Sequence, residues 1–188
     1  MAMLKAPITP LDHRMGEAAA AVVLVEYGDY QCPFCAAAQP LVHELMRNFG
    51  QDLALVFRHF PLSEVHPQAE GAAEAAEFAG AHGAFWDMHE ALFANHSRLD
   101  LPVIFALAGA LNLSQAELRD ALTARSYAEK VRTDFFGGVR SGVNGTPSFF
   151  VNGLRHDGAH TFSALAVAIN AARPVAAPEQ LSRDSGRP

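Results

Sequence analysis

Cys32 and Cys35 are the whole thiol content of the 188-residue chain, and they stand three apart in the stretch Asp29-Tyr30-Gln31-Cys32-Pro33-Phe34-Cys35. Two thiols one helical turn apart can alternate between a dithiol and a disulfide, exchanging an electron pair with a client. An apolar segment precedes the pair and a helical period follows it. A thiolate at a helix start faces unpaired backbone N–H groups and the positive end of the helix dipole, which favour the anion. Cys32, nearer the helix start, is expected to be the exposed nucleophile. Cys35, one turn further in, is expected to resolve the mixed disulfide. Pro33 suits the first helical turn, where a missing N–H costs nothing.

Two other readings use the same cysteines. A zinc site needs two more ligands, which would have to be histidines. His82, His89 and His96 recur every seven residues, a spacing of about 10 Å along a helix, too far for two of them to share one ion. His59 and His66 remain as partners in space. The pair can also be two inert buried thiols. A C-x-x-C at a strand-to-helix junction points first to redox chemistry, with no metal expected.

Three neighbours bear on that chemistry. Glu26 lies six residues before Cys32 inside an apolar strand, where a carboxylate is costly without a partner or a role. With a raised pKa it could take the proton from Cys35, directly or through a water. The alternative is a strand-end Glu turned to solvent. Thr146-Pro147 opens a strand, and sequence alone does not mark that bond as cis. Phe34, between the cysteines, is expected to be exposed and to touch a polypeptide substrate.

The elements that must position these residues follow from hydrophobic period. Ala21–Tyr27 is apolar on both faces and reads as a central strand. Ala38, Leu41, Val42, Leu45, Met46 and Phe49 mark an amphipathic helix ended by Gly50, with Pro40 expected to kink it. Leu53–Phe57 reads as a second buried strand. Residues from about Pro67 to Gly137 read as helical: Phe85, Met88, His89, Leu92 and Phe93 form one stripe, and Ile104, Leu107, Ala108 and Leu111 another. Ser114-x-x-Glu117 and Ser126-x-x-Glu129 are candidate capping boxes. Ser148–Val151, the tight turn Asn152-Gly153 and Leu154–His156 read as a hairpin, and Thr161–Ala172 as a last helix. The order is β-α-β, a helical block, then β-β-α. It predicts an α/β fold in which residues 21–62 and 138–173 form one sheet domain and residues 63–137 a helical insertion. Residues 1–20 read as an irregular N-terminal arm and 174–188 as a disordered tail.

Composition narrows the partners. Half the residues are hydrophobic and 18% are charged, which is ordinary for a globular domain. A net charge of −6 without a basic run gives no reason to expect nucleic acid. No stretch approaches the length of a membrane span. The first twenty residues do not read as a secretory signal, and the expected location is the cytoplasm; a chain whose leader had been removed would read the same and be periplasmic.

The segments Val25–Cys35, "FRHFPL", "HGAFWDMHEALF" and "GVNGTPSFFVNG" resemble the DsbA-like thiol-disulfide oxidoreductases of the thioredoxin superfamily, especially the branch also found fused to sodium/proton antiporters. The resemblance spans about Asp12 to Ala172. It implies a thioredoxin fold with a helical insertion, a nucleophilic Cys32 and a resolving Cys35. It implies a cis Pro147 packed beside the cysteines, with the Thr146 backbone free to pair with an extended substrate. It places Glu26 where thioredoxin-like proteins carry a buried acid, and likens Pro40 to the bend in thioredoxin's active-site helix. Implied partners are protein or peptide thiols and disulfides, with no metal or organic cofactor; the electron donor or acceptor and the direction of flow are not written in the residues. One departure matters. The strong oxidants of the family carry Cys-Pro-His-Cys, and Phe34 here offers no hydrogen bond, so the pair is expected to be a weaker oxidant with a potential between those of thioredoxin and the strong oxidant. Two competing functions are glutathione-dependent isomerase or transferase chemistry, which typically uses a single Ser or Cys, and a non-catalytic redox-sensing interaction module.

Overall fold

The structure is a computed structural model that describes residues 2–174. The stretch read as a disordered tail lies, from residue 175 on, outside the described residues. The chain forms β1 (His13–Met15), β2 (Val22–Gly28), α1 (Pro33–Phe49), β3 (Leu53–His59), α2 (Ala69–Ala81), α3 (Phe85–Ala94), α4 (Leu101–Ala110), α5 (Gln115–Thr123), α6 (Ala128–Arg140), β4 (Ser148–Val151), β5 (Leu154–Arg155) and α7 (Phe162–Ala172).

The five strands form one mixed sheet in the order β1-β3-β2-β4-β5. β2 and β3 run parallel across the α1 crossover, while β4 pairs antiparallel with β2 and β5 with β4. This is the thioredoxin arrangement with helices α2–α6 inserted between its halves. Strands β2 and β3 are apolar on both faces because both faces are covered. On one face Leu24, Leu55, Phe149 and Val151 pack with Val42 and Leu45 of α1 and Leu165 and Ile169 of α7. On the other, Val25, Tyr27, Val56 and Phe150 pack with Phe60, Val143 and Phe135. Phe57, Phe149 and Phe150 are fully buried, and each contributes roughly 1.5–3 kcal/mol. Together these outweigh the cost of placing one carboxyl group in the same sheet.

Two expectations change. The N-terminal arm is not wholly irregular: His13–Met15 pairs antiparallel with β3, opposite Phe57, Val56 and Leu55. Three residues without alternation give no strand signal, and the edge of β3 imposes the conformation. The arm is also held by Arg58, whose guanidinium donates to Asp12 at 2.7 and 3.0 Å and to the carbonyls of Ala6 and Pro7. The second change concerns caps. Ser114 caps α5, its Oγ accepting from Glu117 N at 3.2 Å. Ser126 does not cap α6, which begins after Tyr127 without a side-chain cap.

The hairpin turn uses Asn152 and Gly153 at φ 45° and 82°, the left-handed pair that a two-residue turn requires. Asn152 Oδ1 also accepts from Val23 N at 2.8 Å, pinning the turn to β2. The return strand ends at Arg155, one residue short of the expected His156.

Candidate active site

α1 begins at Pro33, with Cys32 in the N-cap position in extended conformation. Cys32 N donates to Asp29 O at 3.1 Å, and its own carbonyl accepts from Ala36 N, so the loop turns directly into the helix. Asp29 stabilises that turn: its carboxylate accepts from Gln31 N and Leu62 N at 2.7 and 2.8 Å. The two cysteines approach to 3.9 Å and are both free thiols. The Thr146–Pro147 peptide is cis, and Thr146 O lies 3.5 Å from Cys32 Sγ. Phe34 is 73% exposed. Pro33 and Phe34 thus stand between the two cysteines in the chain, and the Thr146–Pro147 peptide approaches Cys32 through the Thr146 carbonyl.

The expected exposure of Cys32 is corrected. The residue is only 3% accessible, because the Thr146–Pro147 loop closes over it.

The two thiols differ in acidity. Cys32 is held at about 5, chiefly by a hydrogen bond from the Cys35 thiol. Burial works against this, and the Thr146 side chain and the backbone N–H groups of Cys35 and Phe34 reinforce it. Cys35 is pushed far above the ordinary thiol range by burial, then by its bond to Cys32 and the nearby Glu26 carboxylate. At neutral pH one sulfur is an anion and its neighbour a thiol. Such a pair has one sulfur ready to attack and a second that can attack only after losing its proton.

Glu26 does not face solvent. It is fully buried, and burial pushes its carboxyl up to about 8. One oxygen accepts from Gln39 Nε2 at 3.4 Å, and Oε2 has no hydrogen-bond partner. Gly28, one step along the same face, must lack a side chain: a Cβ there would lie 2.5 Å from the Phe57 ring.

Near Glu26 lie three buried polar residues: Gln39 and Tyr30, which carry no chemical reading in the sequence, and His89, which figures there only among histidines too widely spaced to share a zinc ion. Gln39 is buried one turn after Cys35 on α1, His89 is fully buried on α3, and Tyr30 is buried in the loop before Cys32. The sequence signal for two of them was present: Gln39 stands at i+4 from Cys35, and His89 interrupts an apolar stripe. His59 and His66, the possible zinc partners, are engaged elsewhere. His59 Nε2 lies 2.8 Å from Glu77 and His66 Nδ1 2.8 Å from Asp29. Among the described residues, the group spaced to hold a metal is His59, Glu77 and Asp134. It contains neither cysteine, and Lys130 Nζ already lies 2.6 Å from Asp134.

A family model described as Thioredoxin matches residues 9–171. The chain belongs to this family. Its solved structural neighbours are DsbA-like oxidoreductases. Oxidised BdbD from Bacillus subtilis is similar in fold, with a TM-score of 0.82 at 21% identity over 91% of this chain and 97% of that one. A thioredoxin-like oxidoreductase from Silicibacter pomeroyi gives 0.78 at 26% identity, over 87% and 93% of the two chains. Among curated proteins, a Na(+)/H(+) antiporter NhaA 1 of Salinispora arenicola is 44% identical over 90% of this chain and 26% of its own length. One from Mycobacterium sp. strain KMS is 40% identical over 89% and 28%. The chain thus spans about a quarter of the length of these relatives, consistent with a thioredoxin-like domain fused to antiporters. No helix among the described residues is long and apolar enough to cross a membrane.

Proposed function

We propose that the protein exchanges disulfides with protein or peptide clients through Cys32 and Cys35, in the cytoplasm and without a metal or organic cofactor. The observation that carries this reading is the unequal pair: a buried thiolate-forming Cys32 at the α1 N-terminus and a high-pKa Cys35 beside it, both facing the Thr146–Pro147 loop. In the reducing direction, the Cys32 thiolate attacks one sulfur of a client disulfide. The client S–S bond breaks, a Cys32–client disulfide forms, and the first client sulfur leaves as a thiolate that takes a proton. Cys35 then gives its proton to Glu26 through a water, and its thiolate attacks Cys32 Sγ. The mixed disulfide breaks as the Cys32–Cys35 disulfide forms, the second client sulfur departs as a thiolate that takes a proton, and the electron pair has moved from the Cys32–Cys35 dithiol to the client. Oxidation of a client is the same sequence reversed. Exposed Phe34 supplies apolar contact for the client, and the Thr146 backbone lies where an extended chain would pair.

Insulin reduction in dithiothreitol tests this directly. Wild-type protein should accelerate precipitation of the insulin B chain. Cys32→Ser should abolish the acceleration, and Cys35→Ser should accumulate a mixed disulfide visible by mass spectrometry. Equal rates with and without the protein would defeat the proposal. A second reading has one observation in its favour, the antiporter relatives. In it the domain senses redox state for an attached transporter, which predicts reversible oxidation of Cys32–Cys35 with no turnover of insulin.

A further inference from the structure

Behind the cysteines a row of buried side chains runs from the sheet into the helical insertion. Tyr30 Oη lies 3.1 Å from His89 Nδ1, and His89 Nε2 lies 3.3 Å from Gln39 Oε1. Gln39 Nε2 donates to Glu26 Oε1 at 3.4 Å and to the Cys35 carbonyl at 3.4 Å. None of the four residues exceeds 6% exposure. We infer that Gln39, oriented by His89 and Tyr30, is a positioning residue that sets how readily Glu26 binds a proton, and thereby how fast Cys35 resolves a mixed disulfide. The kinetic part rests on the function proposed above.

The polarity of the row follows from the Gln39 amide. With Gln39 Oε1 toward His89, the imidazole carries its proton on Nε2 and accepts from the Tyr30 hydroxyl at Nδ1. At the other end the Gln39 amide meets two acceptors, the Glu26 carboxylate and the Cys35 carbonyl. A flipped amide would set oxygen against the Cys35 carbonyl and NH₂ against the His89 N–H. The donor therefore stays on Glu26, and it is the carboxylate's one side-chain partner among the described residues. In a water-poor interior a single donor to an anion has a large effect on its ionisation. Glu26 Oε2 has no partner, which leaves that oxygen to receive the Cys35 proton. No hydrogen bond joins Cys35 Sγ to that oxygen, so the proton passes from Sγ to Oε2 through an intervening water, and the resulting thiolate attacks Cys32 Sγ.

The groups that titrate around Glu26 are few. α1 brings Cys32 and Cys35, the loop after β2 brings Tyr30, β3 brings His59 on the same face as Phe57, and α3 brings His89. β4 opposes Glu26 with Phe149, which carries no charge. Burial, then the neighbouring His59, His43 and His13, hold His89 down at about 3, so it acts as a fixed neutral dipole. Cys35 and Tyr30 are both raised above their ordinary ranges, chiefly by burial. Removing the Gln39 donor disfavours the Glu26 carboxylate, so its titration moves to higher pH and less base is present at neutrality.

The test is the ¹³C carboxyl titration of Glu26 by NMR in the reduced protein, alongside the pH profile of mixed-disulfide resolution. Gln39→Leu should move the NMR midpoint upward by about one pH unit, since a hydrogen bond to a charged group contributes about that much. It should slow resolution at pH 7 about tenfold. His89→Phe should move the midpoint the same way by less, and the double variant no further than Gln39→Leu alone, because His89 acts through Gln39. An unmoved midpoint in Gln39→Leu, or fully additive shifts, would overturn the inference. Near-UV circular dichroism identifies any misfolded His89 variant, in which case Gln39→Leu decides alone. A resolution rate indifferent to Glu26→Gln would overturn the proton-acceptor role and the kinetic half of the inference. The NMR midpoint still judges the positioning of the carboxyl separately.

Discussion

Cys32 reaches a low pKa without a histidine between the cysteines. Phe34 donates nothing, so the stabilisation comes from the Cys35 thiol, Thr146 and two backbone N–H groups. The resulting value of about 5 falls between about 7 for thioredoxin and about 3.5 for the strong oxidant of the family. A thiolate of that strength predicts a potential between about −270 and −120 mV, to be read by equilibration in a glutathione buffer. Only the thiolate alkylates, so the iodoacetamide rate of Cys32 should rise with pH, level off above about 5 and fall about tenfold per unit below it. Because the folded pKa is lowered, the stability this thiolate lends the reduced protein is complete above the unfolded value and is lost as pH drops through about 5. Phe34→His should move the alkylation midpoint down and raise the reduced fraction in a glutathione buffer. A wild-type midpoint near 8.5, the value of a free thiol, would contradict this account.

Helix starts carry much of the local specification. α1 opens on Cys32-Pro33 with no side-chain cap, so its first N–H groups stay available to the sulfur rather than to a Ser or Asp. α4, α5 and α7 open on Asp100, Ser114 and Thr161, each accepting from a backbone N–H three residues on. The same chemistry occurs as a sequence pattern at Ser126, where the turn around Arg125, at φ 57°, carries the chain past the cap geometry. Ser114→Ala should therefore cost about 1 kcal/mol in urea unfolding, while Ser126→Ala should lie within about 0.5 kcal/mol of wild type. Equal losses would show that Ser126 caps α6 in solution.

The insertion and the sheet share one core. Tyr30, Cys32, Cys35 and Phe57 pack in a single buried cluster with Phe78, Met88, Leu92, Phe93 and Ile104 of the helices. Trp86 packs against that cluster and also against the α1–α7 face of the sheet. Separating the two parts would expose the cysteines and the aromatic groups around Tyr30. Unfolding in urea followed by Trp86 fluorescence and by far-UV circular dichroism should thus give coincident, single transitions. Two resolved transitions would mean that residues 63–137 fold as an independent unit.

The sequence by itself determined where the thiol pair stands and its immediate platform. A C-x-x-C at a strand-to-helix junction, two strands apolar on both faces, the Asn-Gly hairpin and the capped helices are local patterns, and local forces of period, turn and cap specify them. The burial of Glu26 was half legible, since an acid in an apolar strand can turn either way until its neighbours are known. Other features depended on residues far apart in the chain. β1 is a strand because the β3 edge needs a partner. Cys32 is covered because a loop more than a hundred residues later closes over it. His89 meets Gln39 across fifty residues and Tyr30 across fifty-nine. Only the tertiary structure could decide these, because burial and hydrogen-bond geometry depend on which groups the fold brings to the same few cubic ångströms.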